Sequence, residues 1–159
     1  MGAGYPIAGV VARGELLDAF RRREMYFNTF AGNPVACAAG LAVLDVMEDE
    51  GLVESAASVG AYVLDGLRRL QTKFDVVGDV RGRGLFFGLD LVEDRDSKEP
   101  ATNSANLVVN EMRQRGVLIS KIGAANNVLK IRPPLCFSEQ QADLLLSVVG
   151  EALEAVAPA

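Results

Sequence analysis

The chain has 159 residues, of which 50% are hydrophobic and 23% charged, proportions typical of a globular protein with one domain or one domain and a part. Its formal net charge of -5 argues against nucleic acid as the main partner, because phosphate backbones are bound by basic surfaces. The sequence contains no His, which excludes Ser-His-Asp and Cys-His catalysis and His-ligated metals within these residues.

The first third of the chain predicts one strand and two helices. Residues 6–12 follow a Gly-rich turn and are apolar and partly β-branched, which predicts a buried strand, and residues 15–23 predict a short helix. A second helix is predicted at residues 34–50, because Asn33 is a favoured N-cap and Pro34 suits the first helical position. Small and apolar residues cover almost all sides of this helix, so we expect it to be buried nearly all round in a larger domain.

The rest of the chain predicts helices alternating with pairs of strands. We expect a helix from residue 52 to about 70, two strands within 76–92, a helix at about 102–115, short strands at 117–120 and 128–131, and a last helix that opens with the capping box Ser138-Glu139-Gln140-Gln141. The fold class is therefore α/β to α+β, with a small sheet covered by helices on one face. We predict that residues 1–51 are the incomplete end of a large domain and that residues 52–159 form a small C-terminal domain.

The cysteines and the hydropathy pattern argue against a metal site and against a membrane span. Cys37 and Cys136 form no CxxC motif and no second pair, so we predict no metal site and expect both thiols to be buried or half-buried in a reducing compartment. No run of roughly 18 apolar residues and no secretory signal is present. We therefore expect no membrane partner and a cytoplasmic location.

Three residues are candidates for binding, each with a simpler alternative. Asn28 and Thr29 precede a helix and could bind an anion through the hydroxyl, backbone N–H groups and the helix dipole, although such residues are usually caps. Arg132 lies between a strand and two prolines, where a fixed guanidinium could bind a carboxylate or form a structural ion pair. For Arg81 and Arg83, a structural role is favoured over a binding role.

Four segments occur in an order that is typical of one enzyme family. GAGYPIAGVV, TFAGNPVACAAGLAVLDVMEDEGL, VRGRGLFFGLDLV and NVLKIRPPLCFSEQQAD together resemble the C-terminal part of the class III aminotransferases, which are pyridoxal phosphate enzymes of fold type I. The resemblance covers nearly the whole chain, from Gly2 to about Leu153. LVEDRDSKEPAT and the last of the four segments are similar to the branch that contains ethanolamine-phosphate phospho-lyase and alanine-glyoxylate aminotransferase-like proteins.

The resemblance implies roles for the candidate residues. It implies pyridoxal 5'-phosphate as cofactor, with Thr29, beside Asn28, hydrogen-bonding the cofactor phosphate across the interface of a homodimer formed through the large domain. It implies that Arg132 binds the α-carboxylate of the substrate. The expected partners are a small amine or amino acid and a keto acid.

The family's Schiff-base lysine has no counterpart in this chain. It lies three residues before the first Gly of the Gly-x-Gly-x-Pro motif, which corresponds to a position two residues before Met1. We therefore expect the chain alone to lack transaminase activity and to be a fragment of the parent enzyme. Two alternatives stay open: a fragment of a pyridoxal phosphate-dependent phospho-lyase acting on a phosphorylated amine, or a non-catalytic α+β interaction module.

Overall fold

A computed structural model describes residues 1–156 of the chain, which divides into two compact units, Met1–Gly51 and Leu52–Ala159. Residues 157–159, the end of the predicted small domain, lie outside the described residues. Within 1–156, no helix is both long and apolar enough to cross a membrane.

The first unit contains helices α1 (Gly14–Arg23) and α2 (Pro34–Asp49). The predicted strand at residues 6–12 is wrong, because this segment is irregular and largely exposed. A strand is stabilised by hydrogen bonds to a neighbouring strand, and every strand pair in the described residues lies in the second unit. The predicted turn before it is present, since the Tyr5 N–H donates to the Gly2 carbonyl at 2.8 Å.

Helix α2 begins as predicted and is largely exposed within the first unit. The Asn33 side-chain oxygen accepts the Ala36 N–H at 2.9 Å, and Pro34 occupies the first turn. Only Ala36 and Gly40 are buried, whereas Leu41 is 60% exposed. Burial nearly all round was expected in a larger domain, whereas the first unit contains only one other helix, so that expectation stays a prediction. The expectation of buried cysteines is wrong, since Cys37 and Cys136 are exposed.

The second unit is an antiparallel sheet with three helices. Its elements are α3 (Leu52–Lys73), β1 (Val77–Arg83), β2 (Phe86–Leu91), α4 (Thr102–Gln114), β3 (Ser120–Ile122), β4 (Val128–Ile131) and α5 (Glu139–Val156). The strand order is β1-β2-β4-β3, and all neighbouring strands are antiparallel. The prediction of a small sheet with helices is confirmed, although β3 begins three residues later than predicted.

One face of the sheet forms the core of this unit. Side chains alternate between the faces of a strand, and in β2 the buried residues are Phe87, Leu89 and Leu91. They belong to one cluster with buried residues of all three helices, such as Val63, Leu67, Val108, Met112, Val149 and Leu153. Phe86 points to the opposite face and is 53% exposed. The helices therefore cover one face and leave the other face open.

Side-chain hydrogen bonds fix one end of α5 and one end of α3. Ser138 and Gln141 form the predicted capping box, with Ser138 N–H donating to Gln141 Oε1 at 2.9 Å and Gln141 N–H to Ser138 Oγ at 3.3 Å. Arg95, from the exposed loop after β2, donates to the carbonyls of Gln71, Phe74 and Asp75 at the end of α3. The carbonyls of a helix end are thus satisfied by a distant side chain.

Candidate functional site

The Asn28-Thr29 segment is a turn held by its own polar groups. Asn28 Oδ1 accepts the Phe30 N–H at 3.1 Å, and the Asn28 carbonyl accepts the Ala31 N–H at 3.2 Å. Asn28 therefore shapes the turn in the way typical of Asn. Thr29 is exposed, and its hydroxyl takes part in none of the hydrogen bonds formed by residues 1–156. Its donor is thus available to a ligand.

The same turn leads directly into α2. Asn33 caps the helix, and its Nδ2 also donates to the Phe30 carbonyl at 2.8 Å. Pro34 has no N–H, so the cap leaves few backbone donors unpaired at this helix end. A hydroxyl beside the positive end of a helix dipole fits one edge of a phosphate group. The segment therefore suits a partial contact with the phosphate of pyridoxal phosphate, with the remaining contacts supplied by other residues.

Arg132 has a defined position and no ionic partner. It follows β4 directly and precedes Pro133 and Pro134, whose fixed φ angles restrict the backbone. Its guanidinium carbon lies 5.7 Å from the centroid of the Phe86 ring, within cation–π distance. No carboxylate within the described part of the chain forms an ion pair with it, which argues against the structural alternative.

Arg81 has the structural role that its sequence context favours. It forms ion pairs with Asp79 at 2.6 Å and Asp90 at 3.3 Å. The hydrogen bond to Asp79 raises the pKa of Arg81 above its usual value. Asp90 also accepts a hydrogen bond from the buried amide of Asn127. Both carboxylates are therefore committed to structural contacts.

Two further cations share the open face with Arg132. Sequence analysis favoured a structural role for Arg83, which forms no ion pair within residues 1–156, and did not select Lys130. Arg83 pairs directly with Phe86, and Lys130 pairs directly with Gly88. Directly paired residues of antiparallel strands lie on the same face, so Arg83 lies beside Phe86 and Lys130 beside Gly88 on the open face. Arg81 and Arg83 are two residues apart, as are Lys130 and Arg132, and this spacing in the sequence predicts that each pair lies on one face of its strand. Only the pairing of the strands shows that the two pairs share the same face.

Of the three predicted site residues, Asn28 and Thr29 lie together in the first unit and Arg132 lies in the second unit. No group of three or more His, Cys, Asp or Glu side chains within 1–156 could hold a metal ion.

Nearly the whole chain matches one protein-family model. The family model described as aminotransferase class-III matches residues 1–153. Among curated proteins, alanine–glyoxylate aminotransferase 2 homolog 2 (mitochondrial) of Arabidopsis thaliana is 47% identical over 94% of this chain and 31% of its own length. Ethanolamine-phosphate phospho-lyase homolog 1 of Caenorhabditis elegans is 45% identical over 87% of this chain and 30% of its own length. The chain therefore spans about a third of the length of these relatives.

Solved structures show the same two kinds of enzyme. A phospholyase from Arthrobacter in complex with phosphoethanolamine has 49% identity and a TM-score of 0.89, with 98% of this chain and 37% of that chain covered. An amine transaminase from an uncultivated Pseudomonas species in the PLP-bound (internal aldimine) form has 39% identity and a TM-score of 0.78, with 87% of this chain and 31% of that chain covered.

Proposed function

Since the chain belongs to the class-III aminotransferase family, we propose that it is the C-terminal part of an enzyme that transfers an amino group between an amine or amino acid and a keto acid. The cofactor is pyridoxal phosphate, which when bound supplies the electron sink for reactions at the amino-bearing carbon. In this proposal, residues 1–51 are the end of the large domain and residues 52–159 are the small domain.

Arg132 carries the proposal, because it is exposed, its guanidinium lies over the Phe86 ring and it has no ionic partner in the described residues. We assign it to binding the substrate carboxylate through charge-assisted hydrogen bonds, for which a planar guanidinium is suited. Its role is to orient the substrate so that the reacting carbon is held at one place.

Thr29 is assigned to the cofactor phosphate. Its free hydroxyl, in the turn that precedes α2, supports one hydrogen bond to a phosphate oxygen, and Asn28 holds that turn. We propose that this contact is made to the cofactor of a second subunit in a homodimer. The assembled enzyme would then need both chains to complete each cofactor site.

We propose that the 159-residue chain does not transaminate by itself. Of its four lysines, Lys73 forms an ion pair with Glu154 at 3.7 Å, and Lys121 donates to Asn106. Lys98 lies in an exposed loop and Lys130 on the open sheet face. None lies in the context of the family's catalytic lysine. The activity therefore belongs to a longer protein that contains this chain.

A phospho-lyase acting on a phosphorylated amine is the second candidate. The Arthrobacter phospholyase has higher identity and a higher TM-score than the Pseudomonas amine transaminase. A relative named as a phospho-lyase homolog supports the same candidate. The two reactions share the cofactor and differ in the substrate, which is an amine or amino acid in one and a phosphorylated amine in the other.

The test is Arg132→Ala in a longer enzyme that contains this chain. We expect kcat/KM for carboxylate substrates to fall roughly thirtyfold, because charge-assisted hydrogen bonds to the carboxylate are lost. This fall corresponds to a loss of about 2 kcal/mol of transition-state stabilisation. Simple amines, which lack the carboxylate, should react at nearly unchanged rates. Arg69→Ala, an exposed arginine on α3, is the matched control. An equal loss for amines and amino acids would contradict the assignment.

Thr29→Ala separates cofactor binding from substrate recognition. We expect cofactor affinity to fall by about 1 to 3 kcal/mol for every substrate alike, since a hydrogen bond to a charged phosphate is lost. Equilibrium dialysis of the cofactor, followed by its absorbance, measures the change. Thr72→Ala is the control, because that hydroxyl only donates to the Arg69 carbonyl within α3. Unchanged cofactor retention would remove Thr29 from the site.

We propose the cytoplasm as the compartment of the parent enzyme. The Arabidopsis relative is named as mitochondrial, so a mitochondrial location is the competing outcome. Fluorescence localisation of the full-length protein in its own cells decides between the two.

A further inference from the structure

A cavity of about 660 Å³ lies at the end of the sheet that is far from Phe86 and Arg132. We call it the loop cleft, because the loop after β2 and the loop between β3 and β4 form two of its walls. Asp90, which lines it, is four residues beyond Phe86 along β2, a separation of about 13 Å. The loop cleft is therefore distinct from the site of Arg132. Its other lining residues include Gly78, Asp79, Lys98, Gly123 and Asn127.

The side-chain amide of Asn127 presents an unused acceptor to the loop cleft. Asn127 is 7% exposed, and its Nδ2 donates to Asp90 Oδ1 at 2.5 Å and to the Leu91 carbonyl at 2.8 Å. Both partners are acceptors, so they fix which end of the amide is the nitrogen. Oδ1 accepts none of the hydrogen bonds formed by residues 1–156. Every fully buried side-chain N or O atom in these residues has a partner, so Oδ1 is reached from the cleft.

The loop between β3 and β4 holds the wall beside this acceptor. A Cβ atom added at Gly123 would lie 3.8 Å from Asn127 Oδ1. The Asn126 N–H donates to the Gly123 carbonyl at 3.0 Å, and Thr102 Oγ1 donates to the Ala125 carbonyl at 2.6 Å. These hydrogen bonds tie the loop to itself and to the start of α4. The acceptor therefore has a fixed position before any ligand binds.

Two carboxylates give the loop cleft a negative floor. Asp79 and Asp90 pair directly across β1 and β2 and share one cation, Arg81, at 2.6 and 3.3 Å. Carboxylates directly opposite one another repel, and a single guanidinium leaves one of the two charges uncompensated. Arg81 contacts Asp79 through Oδ2, so Asp79 Oδ1 receives no hydrogen bond from residues 1–156. A second unused acceptor is thus present beside the first.

The loop after β2 adds negative charge at the rim. Residues 93–99 contain four acidic and two basic side chains. One of the basic side chains, Arg95, donates to the carbonyls of Gln71 and Phe74 at the end of α3, where a helix dipole is negative. The other, Lys98, lines the cleft and forms no ion pair within 1–156. The acidic excess of the floor and the rim favours a cationic ligand over an anionic one.

We propose that the loop cleft binds the primary ammonium group of a small amine, as a ligand that is not transformed there. An ammonium group carries one positive charge and three N–H donors, which suit Asn127 Oδ1, Asp79 Oδ1 and the acidic surroundings. Ca²⁺ takes six or more oxygen ligands, whereas no group of three or more His, Cys, Asp or Glu side chains in the described residues could hold a metal ion. A quaternary ammonium ion has the charge but no N–H donor. The free acceptors therefore select a primary amine.

The test is an NMR titration of the 159-residue chain at neutral pH and low ionic strength, where charges are weakly screened. Ethylammonium, tetramethylammonium and Ca²⁺ are the probes, and the Gly123 backbone amide and the Asn127 side-chain amide report binding. We expect ethylammonium to bind at least about fivefold more tightly than tetramethylammonium, because only ethylammonium donates hydrogen bonds to the free acceptors. Ca²⁺ should bind more weakly than ethylammonium.

Charge-changing variants identify the residues responsible. Asp79→Asn keeps the shape of the side chain and removes its charge, so ethylammonium binding should weaken about fivefold. Asp45→Asn, the same change at an exposed residue of α2, should bind like the parent chain. Lys98→Gln removes a like charge from the rim and should strengthen ethylammonium binding about twofold.

Each contrary outcome overturns the inference. Equal binding of ethylammonium and tetramethylammonium means that the cleft only attracts positive charge. Tighter binding of Ca²⁺ than of ethylammonium identifies a metal site instead. Unchanged binding in Asp79→Asn, or weaker binding in Lys98→Gln, places the ammonium group elsewhere. The Arg132→Ala and Thr29→Ala tests concern other residues, so the proposed function stands or fails separately.

Discussion

Replacing Phe87 with Ala is expected to destabilise the second unit by about 3 to 5 kcal/mol, the usual cost of removing a buried aromatic ring. Phe87 is 1% exposed, on the face of β2 that forms the core with Leu89 and Leu91. The ring contributes both its transfer from water and its contacts with the packed helices, and a cavity would remain after its removal. Urea unfolding of the 159-residue chain, followed by circular dichroism, measures the loss.

The neighbouring Phe86→Ala is the matched control. It removes the same side chain from the same strand, but Phe86 is 53% exposed on the open face. We expect it to change stability by less than about 1 kcal/mol. Equal losses in the two variants would show that the assignment of faces in β2 is wrong.

Gly60→Ala is expected to cost about 3 kcal/mol or more, against the trend of helix propensity. An Ala at an exposed helical position is worth about 1 kcal/mol relative to Gly. At Gly60, however, a Cβ would lie 2.2 Å from the Gly84 carbonyl oxygen and 2.6 Å from its carbon. Both are backbone atoms of the turn between β1 and β2, so relief requires a shift of the helix or the hairpin. Thermal and urea unfolding measure the change.

Gly150→Ala provides the control for this second prediction. Gly150 also lies inside a helix, but its added Cβ would contact only the Leu70 side chain at 3.4 Å. A flexible side chain can move by a few tenths of an ångström, so we expect neutral behaviour or a gain of up to about 1 kcal/mol. A stabilised Gly60→Ala variant would mean that the α3–hairpin contact is looser than described.

Features that depend on a few neighbouring residues could be predicted from sequence. The caps at Asn33 and Ser138 are present with the hydrogen bonds that these residue types usually form. The strand at residues 128–131 and the helix after Ser138 were located because periodicity and turn residues are local signals. The family can also be recognised from sequence, because each of its motifs is a contiguous stretch of residues.

Features that depend on distant residues were decided only by the tertiary structure. Residues 6–12 have the composition of a strand, but no described strand pairs with them. Phe86 and Phe87 are identical side chains in adjacent positions, and only the packing of the helices determines which one is buried. The sequence by itself determined the helix caps, the helices, most of the strands, the family and the candidates Asn28, Thr29 and Arg132. The tertiary structure decided that Arg83 and Lys130 share a face with Arg132, because that shared face arises from the pairing of β2 with both β1 and β4, and β4 is far from the other two strands in the chain.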